Sequence, residues 1–235
     1  MNVFEFDIEQ GIYHFELSDL SSRTHSHPTI EVVYATKGMF SIVSPTVQEE
    51  QATFAIIQPN VQHSINGQGC ELKVLMIESY NDLLHAYLET SGIPLKDGVF
   101  CSNDEHGQLF TEIETFVKNN DLRNIPDERI QQCLTIIDHE YVEYETMLTR
   151  LTSSVHLSES RLSHLFKEHI GVSLKKYLVW SRLKRAIYLT LNQGLNLTEA
   201  SHKAGFFDQA HLSNAFKKFL GVTPVKSYNS RTVQF

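Results

Sequence analysis

The sequence is poor in cysteine, proline and tryptophan, and it contains no long apolar run. Three cysteines, six prolines and one tryptophan occur in 235 residues. Cys70, Cys101 and Cys133 lack CxxC spacing, so the sequence indicates neither a disulfide framework nor a cysteine zinc site, and we expect reduced, packed thiols. No apolar run approaches the roughly 18 residues of a membrane span. The N-terminus, MNVFEFDIEQ, also lacks the regions of a secretory signal. We therefore expect a cytoplasmic protein without a membrane partner.

Basic residues are scarce in the first part of the chain and frequent in the last. Residues 1–141 hold 7 Lys and Arg against 22 Asp and Glu, whereas residues 142–235 hold 13 against 6. The whole-chain net charge of −8 therefore hides a basic C-terminal region. Such a region is typical of a module that contacts phosphate, and the acidic part then has another task. Charge alone leaves open the alternative of two solvated surfaces without a partner.

A repeat stands out near the C-terminus. The stretch FKEHIGVSL returns fifty positions later as FKKFLGVTP. Each copy ends a short amphipathic pattern. Ser158 is placed to cap the first helix and Gly171 to end it, and Asp208 and Gly221 hold the same places in the second. The repeat therefore predicts two equivalent helices.

Each of these helices follows a shorter helical stretch, LTRLTSSV in the first copy and LTEASHKA in the second. A short helix, a tight turn and a second amphipathic helix form a helix-turn-helix. The segment SLKKYLVWSRLKRAIYLTL, capped by Ser173, predicts a long helix that holds the two copies apart. Two copies so held can present recognition helices to successive major grooves, roughly 34 Å apart. The region 142–235 is thus predicted to be an all-α DNA-binding domain.

The second copy, LTEASHKAGFFDQAHLSNAFKKFLGVTP, is similar to the second helix-turn-helix of the AraC/XylS family of bacterial transcription regulators. It carries the family's A-x-x-x-G-F, F-K and G-x-T-P features, and the resemblance runs from Tyr144 onward. Thr152 and His156 stand where the family often has Ala and Gly. The resemblance implies sequence-specific binding of double-stranded promoter DNA, a homodimer, contact with RNA polymerase, and association with the nucleoid when bound.

Candidate DNA contacts follow from this resemblance and from positions opposite the apolar stripes. The residues expected to face bases are Ser160, Arg161, Ser163, His164, Gln209, His211, Ser213 and Asn214. Those expected to anchor phosphates are Lys167, Lys217, Lys218 and Arg182. For each of them an exposed side chain without a contact remains the alternative, and for Arg182 a solvated helix face is the first expectation.

The acidic part has a pattern of its own, in which His25, His27 and Glu31 follow H-x-H-x-x-x-E spacing and His63 comes later. Flanking segments alternate as strands do. The pattern resembles the two cupin motifs, whose ligands converge on one metal inside a small β-barrel. An α+β protein follows, with a cupin-like β-barrel that senses an effector at 1–80, a helical connector and possible dimerisation region at 81–141, and the double helix-turn-helix at 142–235.

Three imidazoles and a carboxylate suit a divalent ion such as Zn, Ni, Fe or Mn and leave positions open for a ligand. We therefore expect an effector site, metal or small molecule, formed by His25, His27, Glu31 and His63 with Tyr34 nearby. Two alternatives stay open. The same histidines can line the pocket of an organic ligand without a metal. The chain can also be a metal-dependent cupin enzyme with an attached DNA-binding module, although the helix-turn-helix copies favour sensing over catalysis.

Overall fold

The computed structural model describes residues 2–93, 95 and 98–224, which form an antiparallel sheet followed by helices. The strands are β1 (Asn2–Asp7), β2 (Ile12–Ser21), β3 (Ile30–Lys37), β4 (Phe40–Val43), β5 (Gln48–Ala52), β6 (Phe54–Ile57), β7 (Ser64–Ile77) and β8 (Val99–Ser102). The helices are α1 (Leu83–Thr90), α2 (Gly107–Asn119), α3 (Glu128–His139), α4 (Tyr144–Val155), α5 (Glu159–Ile170), α6 (Leu174–Gln193), α7 (Leu197–Lys203) and α8 (Gln209–Leu220). The predicted α+β class is confirmed, and the cupin likeness of the sheet remains a prediction.

The sheet is built around β7, the longest strand. It runs in the order β1-β2-β7-β3-β6-β8, with β4 paired to both β5 and β7, and every pairing is antiparallel. Because side chains alternate between the faces of a strand, cross-strand partners share a face. Glu31 therefore lies on the same face as its partners Met76 and Ile57, whereas Val32 lies on the other.

Helices α1 and α2 cover the Val32 face. The apolar side chains that meet there are buried in one cluster, and they include Val32, Phe54, Ile56, Leu75, Leu84, Leu88, Phe110 and Ile113. Burying a side chain of this kind contributes about 1.5 to 3 kcal/mol relative to exposure. This packing fixes β3, and with it Glu31 on the opposite face.

The helices of the C-terminal part begin and end where the sequence predicts. Ser158 caps α5 by accepting from the Arg161 amide at 3.3 Å, and Asp208 accepts from the His211 amide at 2.7 Å. Gly171 and Gly221 end α5 and α8 in the left-handed region at φ 77° and 67°. The predicted helix ends are confirmed in both copies.

The long helix α6 is the centre of the helical region. Its apolar stripe is buried and consists of Trp180, Leu183, Ile187 and Leu191. Ser173 caps it, as predicted, by accepting from the Lys176 amide at 3.3 Å. One surface differs from expectation, because the face that carries Arg182 is covered rather than solvated.

The chain divides into two compact units, whose bounds differ from the three predicted ranges. Of the described residues, those up to 123 and those from 216 to 224 belong to one unit, and 124–215 belong to the other. Helices α1 and α2 of the predicted connector thus group with the sheet, whereas α3 groups with the helix-turn-helix elements. Within the described residues, we find no helix with both the length and the apolar character that a bilayer crossing requires.

Candidate functional site

The four predicted metal ligands come together in the sheet unit. His25 and His27 precede β3, Glu31 lies within it, and His63 directly precedes β7. A backbone bridge joins two of them: the His25 amide donates to the His63 carbonyl at 2.9 Å, and the His63 amide to the His25 carbonyl at 3.0 Å. All four side chains are buried. We call these four residues the His–Glu cluster.

Each histidine of the cluster is held at Nδ1 by a backbone carbonyl. The acceptors are the carbonyls of Arg23 at 2.8 Å for His25, Thr29 at 3.1 Å for His27 and Val61 at 3.0 Å for His63. A carbonyl only accepts, so in these bonds Nδ1 carries the proton and donates it. In each neutral ring the lone pair is then on Nε2. Metal-bound histidines are commonly oriented by such a bond at the second nitrogen.

The Glu31 carboxylate lies against two of these Nε2 atoms. Its Oε2 is 3.2 Å from Nε2 of His27 and 2.9 Å from Nε2 of His63. Burial alone would raise the pKa of Glu31, but the contacts with His27 and His63 outweigh it and hold that pKa well below its ordinary value. The cluster therefore contains a buried negative charge that needs a proton or a cation beside it.

The histidines respond differently to this charge. Burial, followed by repulsion from His63, lowers the pKa of His25 to about 4. Burial also disfavours the charged form of His63, but its contact with Glu31 prevails and raises the pKa of that ring. The raised pKa of His63 favours a proton on that ring beside Glu31, whereas the lowered pKa of His25 favours its neutral form, with the lone pair on Nε2.

The cluster meets the chemical requirements of a divalent cation site. Its ligand atoms all lie within 4.8 Å of one another. A tetrahedral zinc ion with bonds of roughly 2.1 Å holds its ligands about 3.4 Å apart, so the widest pair would have to approach by at most about 1.4 Å. Three neutral nitrogens and one carboxylate suit Zn, Ni, Fe and Mn. The cation would neutralise Glu31 in place of the proton.

Tyr34 is not part of the cluster, and this corrects the sequence prediction. It lies three positions after Glu31 in β3, which places it on the opposite face of the strand. Its hydroxyl donates to Glu105 at 2.5 Å, and its ring packs against Phe110. Tyr34 thus joins the strand to the start of α2.

The predicted DNA contacts lie mostly on the exposed surfaces of α5 and α8. The exposed candidates are Ser160, Arg161, His164, Lys167, Gln209, His211, Asn214, Lys217 and Lys218, and Ser163 and Ser213 are half-buried. One of them is oriented by α7, because the Thr198 hydroxyl donates to Oε1 of Gln209 at 3.0 Å. Gln209 is exposed, and this bond leaves its amide group available as a donor.

Arg182 differs from the other candidates. It is half-buried, and its guanidinium donates to the Val142 carbonyl at 2.6 Å. Burial lowers its pKa. Its neighbour on the same face, Arg185, stacks on Tyr141 and Tyr188. The two arginines bind the segment that precedes α4, so Arg182 serves packing first.

Two residues that no sequence motif singled out, Thr29 and Thr198, hold side chains of these sites. Thr29 holds His27 with its hydroxyl, 2.8 Å from Nδ1, in addition to its carbonyl. Thr198 orients Gln209. Phe207 is 84% exposed directly before the cap of α8. In the sequence, Phe207 could be recognised as an apolar ring directly before a helix cap. Neither Thr29 nor Thr198 lies in a sequence pattern that indicates its role.

Known proteins resemble both parts of the chain. A family model described as "Helix-turn-helix domain" matches residues 151–228. The arabinose operon regulatory protein of Escherichia coli is 28% identical over 106 residues, covering 45% of this chain and 36% of that protein. The probable transcriptional regulator LumQ of Photobacterium leiognathi is 22% identical over 246 residues, covering 94% of this chain and 97% of LumQ.

The matches to operon regulators are partial. The chain spans 36% of the length of the E. coli arabinose regulator and 45% of that of the Msm operon regulatory protein of Streptococcus mutans.

Among solved structures, ToxT of Vibrio cholerae with an unsaturated fatty acid bound matches with a TM-score of 0.55 at 13% identity, over 92% of this chain and 93% of ToxT. At that identity the likeness concerns the fold.

Proposed function

We propose that this chain is a regulator of the AraC/XylS type, which binds a specific duplex DNA sequence and regulates transcription there. The proposal is supported by the helix-turn-helix model that matches residues 151–228 and by the similarity to proteins named as transcription regulators. The supporting observation is the pair of equivalent helices, α5 and α8, that present polar and basic side chains outward. Lys167, Lys217 and Lys218 supply phosphate contacts in this proposal, and Gln209 and Asn214 supply base contacts.

We further propose that the His–Glu cluster is the effector site and that it holds one divalent metal ion. Three histidines whose Nδ1 atoms are already bound to carbonyls offer their Nε2 atoms to one point, beside a buried carboxylate. This arrangement favours a metal over an organic ligand alone, since an organic ligand needs no convergence of lone pairs. A small acid can then complete the coordination of the metal.

The test begins with metal content, measured by elemental mass spectrometry on untagged protein purified without chelator. We expect close to one metal ion per chain in the wild type, loss of that ion in His63→Ala, and retention in His85→Ala. His85 is the matched control because its side chain is 47% exposed on α1, outside the cluster. Equal metal in both variants would contradict the site.

An organic effector is the second candidate, favoured by the fatty acid bound to ToxT. If folded wild-type protein takes up neither its native metal nor added Zn²⁺, Ni²⁺, Fe²⁺ or Mn²⁺, the cluster lines a pocket for such a ligand. Unsaturated fatty acids are then the first compounds to test for an effect on DNA affinity. Catalysis, a homodimer and contact with RNA polymerase carry no comparable observation, and the expectation that this is not an enzyme remains a prediction.

A further inference from the structure

The backbone of Arg23 connects the His–Glu cluster to the residue that ends α8. Its carbonyl accepts from Nδ1 of His25 at 2.8 Å and so orients that ring. Its amide donates to the carbonyl of Gly221 at 2.9 Å. One residue therefore uses its acceptor for the cluster and its donor for the end of a helix. Gly221 belongs to the same compact unit as Arg23.

The packing at Gly221 is too close for any larger residue. A Cβ atom placed there would lie 2.4 Å from the Arg23 carbonyl oxygen, 2.6 Å from Nδ1 of His25 and 2.9 Å from Cβ of Ser22. The carbonyl that holds His25 is thus in direct contact with Gly221. Movement of the Arg23 carbonyl therefore displaces Gly221, and movement of Gly221 displaces the carbonyl, because a close-packed contact leaves no gap that could absorb the shift.

The segment 22–25 is also held by hydrogen bonds to β7. Ser22 donates its amide to the Ile65 carbonyl at 2.9 Å, and the Ile65 amide donates to the Ser22 hydroxyl at 2.8 Å. The bridge between His25 and His63 continues this pairing. The segment 22–25 is therefore held between the start of β7, which carries Ile65, and the end of α8.

Gly221 in turn is bonded to a predicted DNA contact. Its amide donates to the carbonyl of Lys217 at 3.2 Å, within the last turn of α8. Lys217 and Lys218 are exposed in that turn. A shift of Gly221 thus repositions the two lysines that we assign to phosphate.

We propose that Arg23 couples the His–Glu cluster to α8, so that a divalent cation bound at His25 moves the Arg23 peptide and Gly221 together and changes the affinity for DNA. This inference rests on the proposed function in taking the cluster as a cation site and α8 as a DNA-contacting helix. By linkage, DNA changes the affinity for the cation by the same factor, and couplings of this kind are roughly 5- to 150-fold.

The test compares Gly221→Ala with Gly171→Ala. Both glycines end a repeated helix in the left-handed region, so both alanines impose similar backbone strain, but the Gly221 substitution alone inserts a methyl group against Arg23 and His25. The DNA probe is a duplex that the wild-type protein selects from a random-sequence pool, and the cation is Zn²⁺. We expect Zn²⁺ to change DNA affinity at least about fivefold in the wild type and in Gly171→Ala, and less than about twofold in Gly221→Ala. The same factor in all three proteins would overturn the coupling.

Amide hydrogen exchange without any metal separates this inference from the proposed function. We expect Gly221→Ala to accelerate exchange of the amides of His25 and His63, and Gly171→Ala to leave both at the wild-type rate. If the wild type takes up no cation while Gly221→Ala alone accelerates exchange, the metal proposal and the effect of a cation on DNA affinity both fail, and only the structural link between Gly221 and the His25–His63 bridge stands. If neither variant alters exchange at the two histidines, the coupling fails whatever the metal content.

Discussion

Gln209 and Lys217 lie on the same helix, yet they are expected to contribute differently to DNA binding. Thr198 holds the carbonyl oxygen of Gln209, so its amide nitrogen is free to donate to a base edge, whereas Lys217 is an exposed cation in the last turn. We expect Lys217→Ala to reduce the salt dependence of binding by about one unit of log–log slope without altering sequence preference. We expect Gln209→Ala to alter that preference.

Both effects are measured by titrating a selected duplex, and single-base variants of it, at several salt concentrations. Lys37→Ala is the control, since this exposed lysine lies on β3 and pairs with Glu71. Uniform loss of affinity on every sequence for both variants would refute the assignment of separate roles.

Asp127 gives the folded protein a defined dependence on pH. It caps α3, and its bond with the Arg129 side chain lowers its pKa from 3.8 to about 2. A lowered carboxyl pKa stabilises the fold above the unfolded-state pKa, and this contribution is lost as the pH falls toward 2. We expect Asp127→Ala to cost about 1 kcal/mol at neutral pH.

The variant Asp127→Asn separates the contribution of the helix cap from that of the negative charge, because Asn caps a helix without ionising. The free energy of unfolding in urea, measured from pH 7 down to pH 3, should show the advantage of Asp over Asn shrinking as the pH falls below 4. An advantage that does not change with pH would exclude the charge of Asp127 as its source.

At the residue scale, the convergence of the metal ligands could be predicted from the sequence, whereas contacts between distant segments could not. The spacing of His25, His27 and Glu31 predicted their convergence, and parity within β3 could have excluded Tyr34, since positions three apart face opposite ways. The contact of Gly221 with Arg23 was not predictable, because no local pattern links the two ends of the chain. Arg182 was misjudged for a related reason: its amphipathic pattern does not reveal which segment covers the face.

At the scale of elements, the two helix-turn-helix copies differ in their turns. The first turns at His156, which has a left-handed φ of 53°, whereas the second turns at Gly205 at φ 81°. The left-handed conformation costs a residue with Cβ about 1 kcal/mol or more. We therefore expect His156→Gly to stabilise the protein by about 1 kcal/mol.

The measurement is the urea midpoint of the full chain. His156→Ala is the control, because it removes the imidazole but keeps Cβ, and it should bring no comparable gain. If His156→Gly and His156→Ala have the same urea midpoint, the turn carries no strain at His156. The caps and terminating glycines were predictable because they depend on neighbouring residues, whereas the division of helices between the compact units depends on long-range packing.

At the scale of the whole molecule, oligomeric state is the open prediction. The family resemblance favours a homodimer, with a region within 81–141 forming the contact. Helix α2 already buries Phe110, Ile113 and Val117 against the protein's own sheet. We still expect sedimentation at micromolar concentration to give a dimer, and a single monomeric species would assign the apolar stripes of 81–141 to internal packing alone.

The buried carboxylate of Glu31 has an evolutionary consequence. Removing one histidine leaves Glu31 with less compensation, and removing Glu31 leaves three buried rings without a shared acceptor, so each single change is costly. Such a group is expected to be inherited or lost as a block, because no single replacement leaves the other three residues compensated. Descendants of this chain should therefore divide into those with all four residues and those with none.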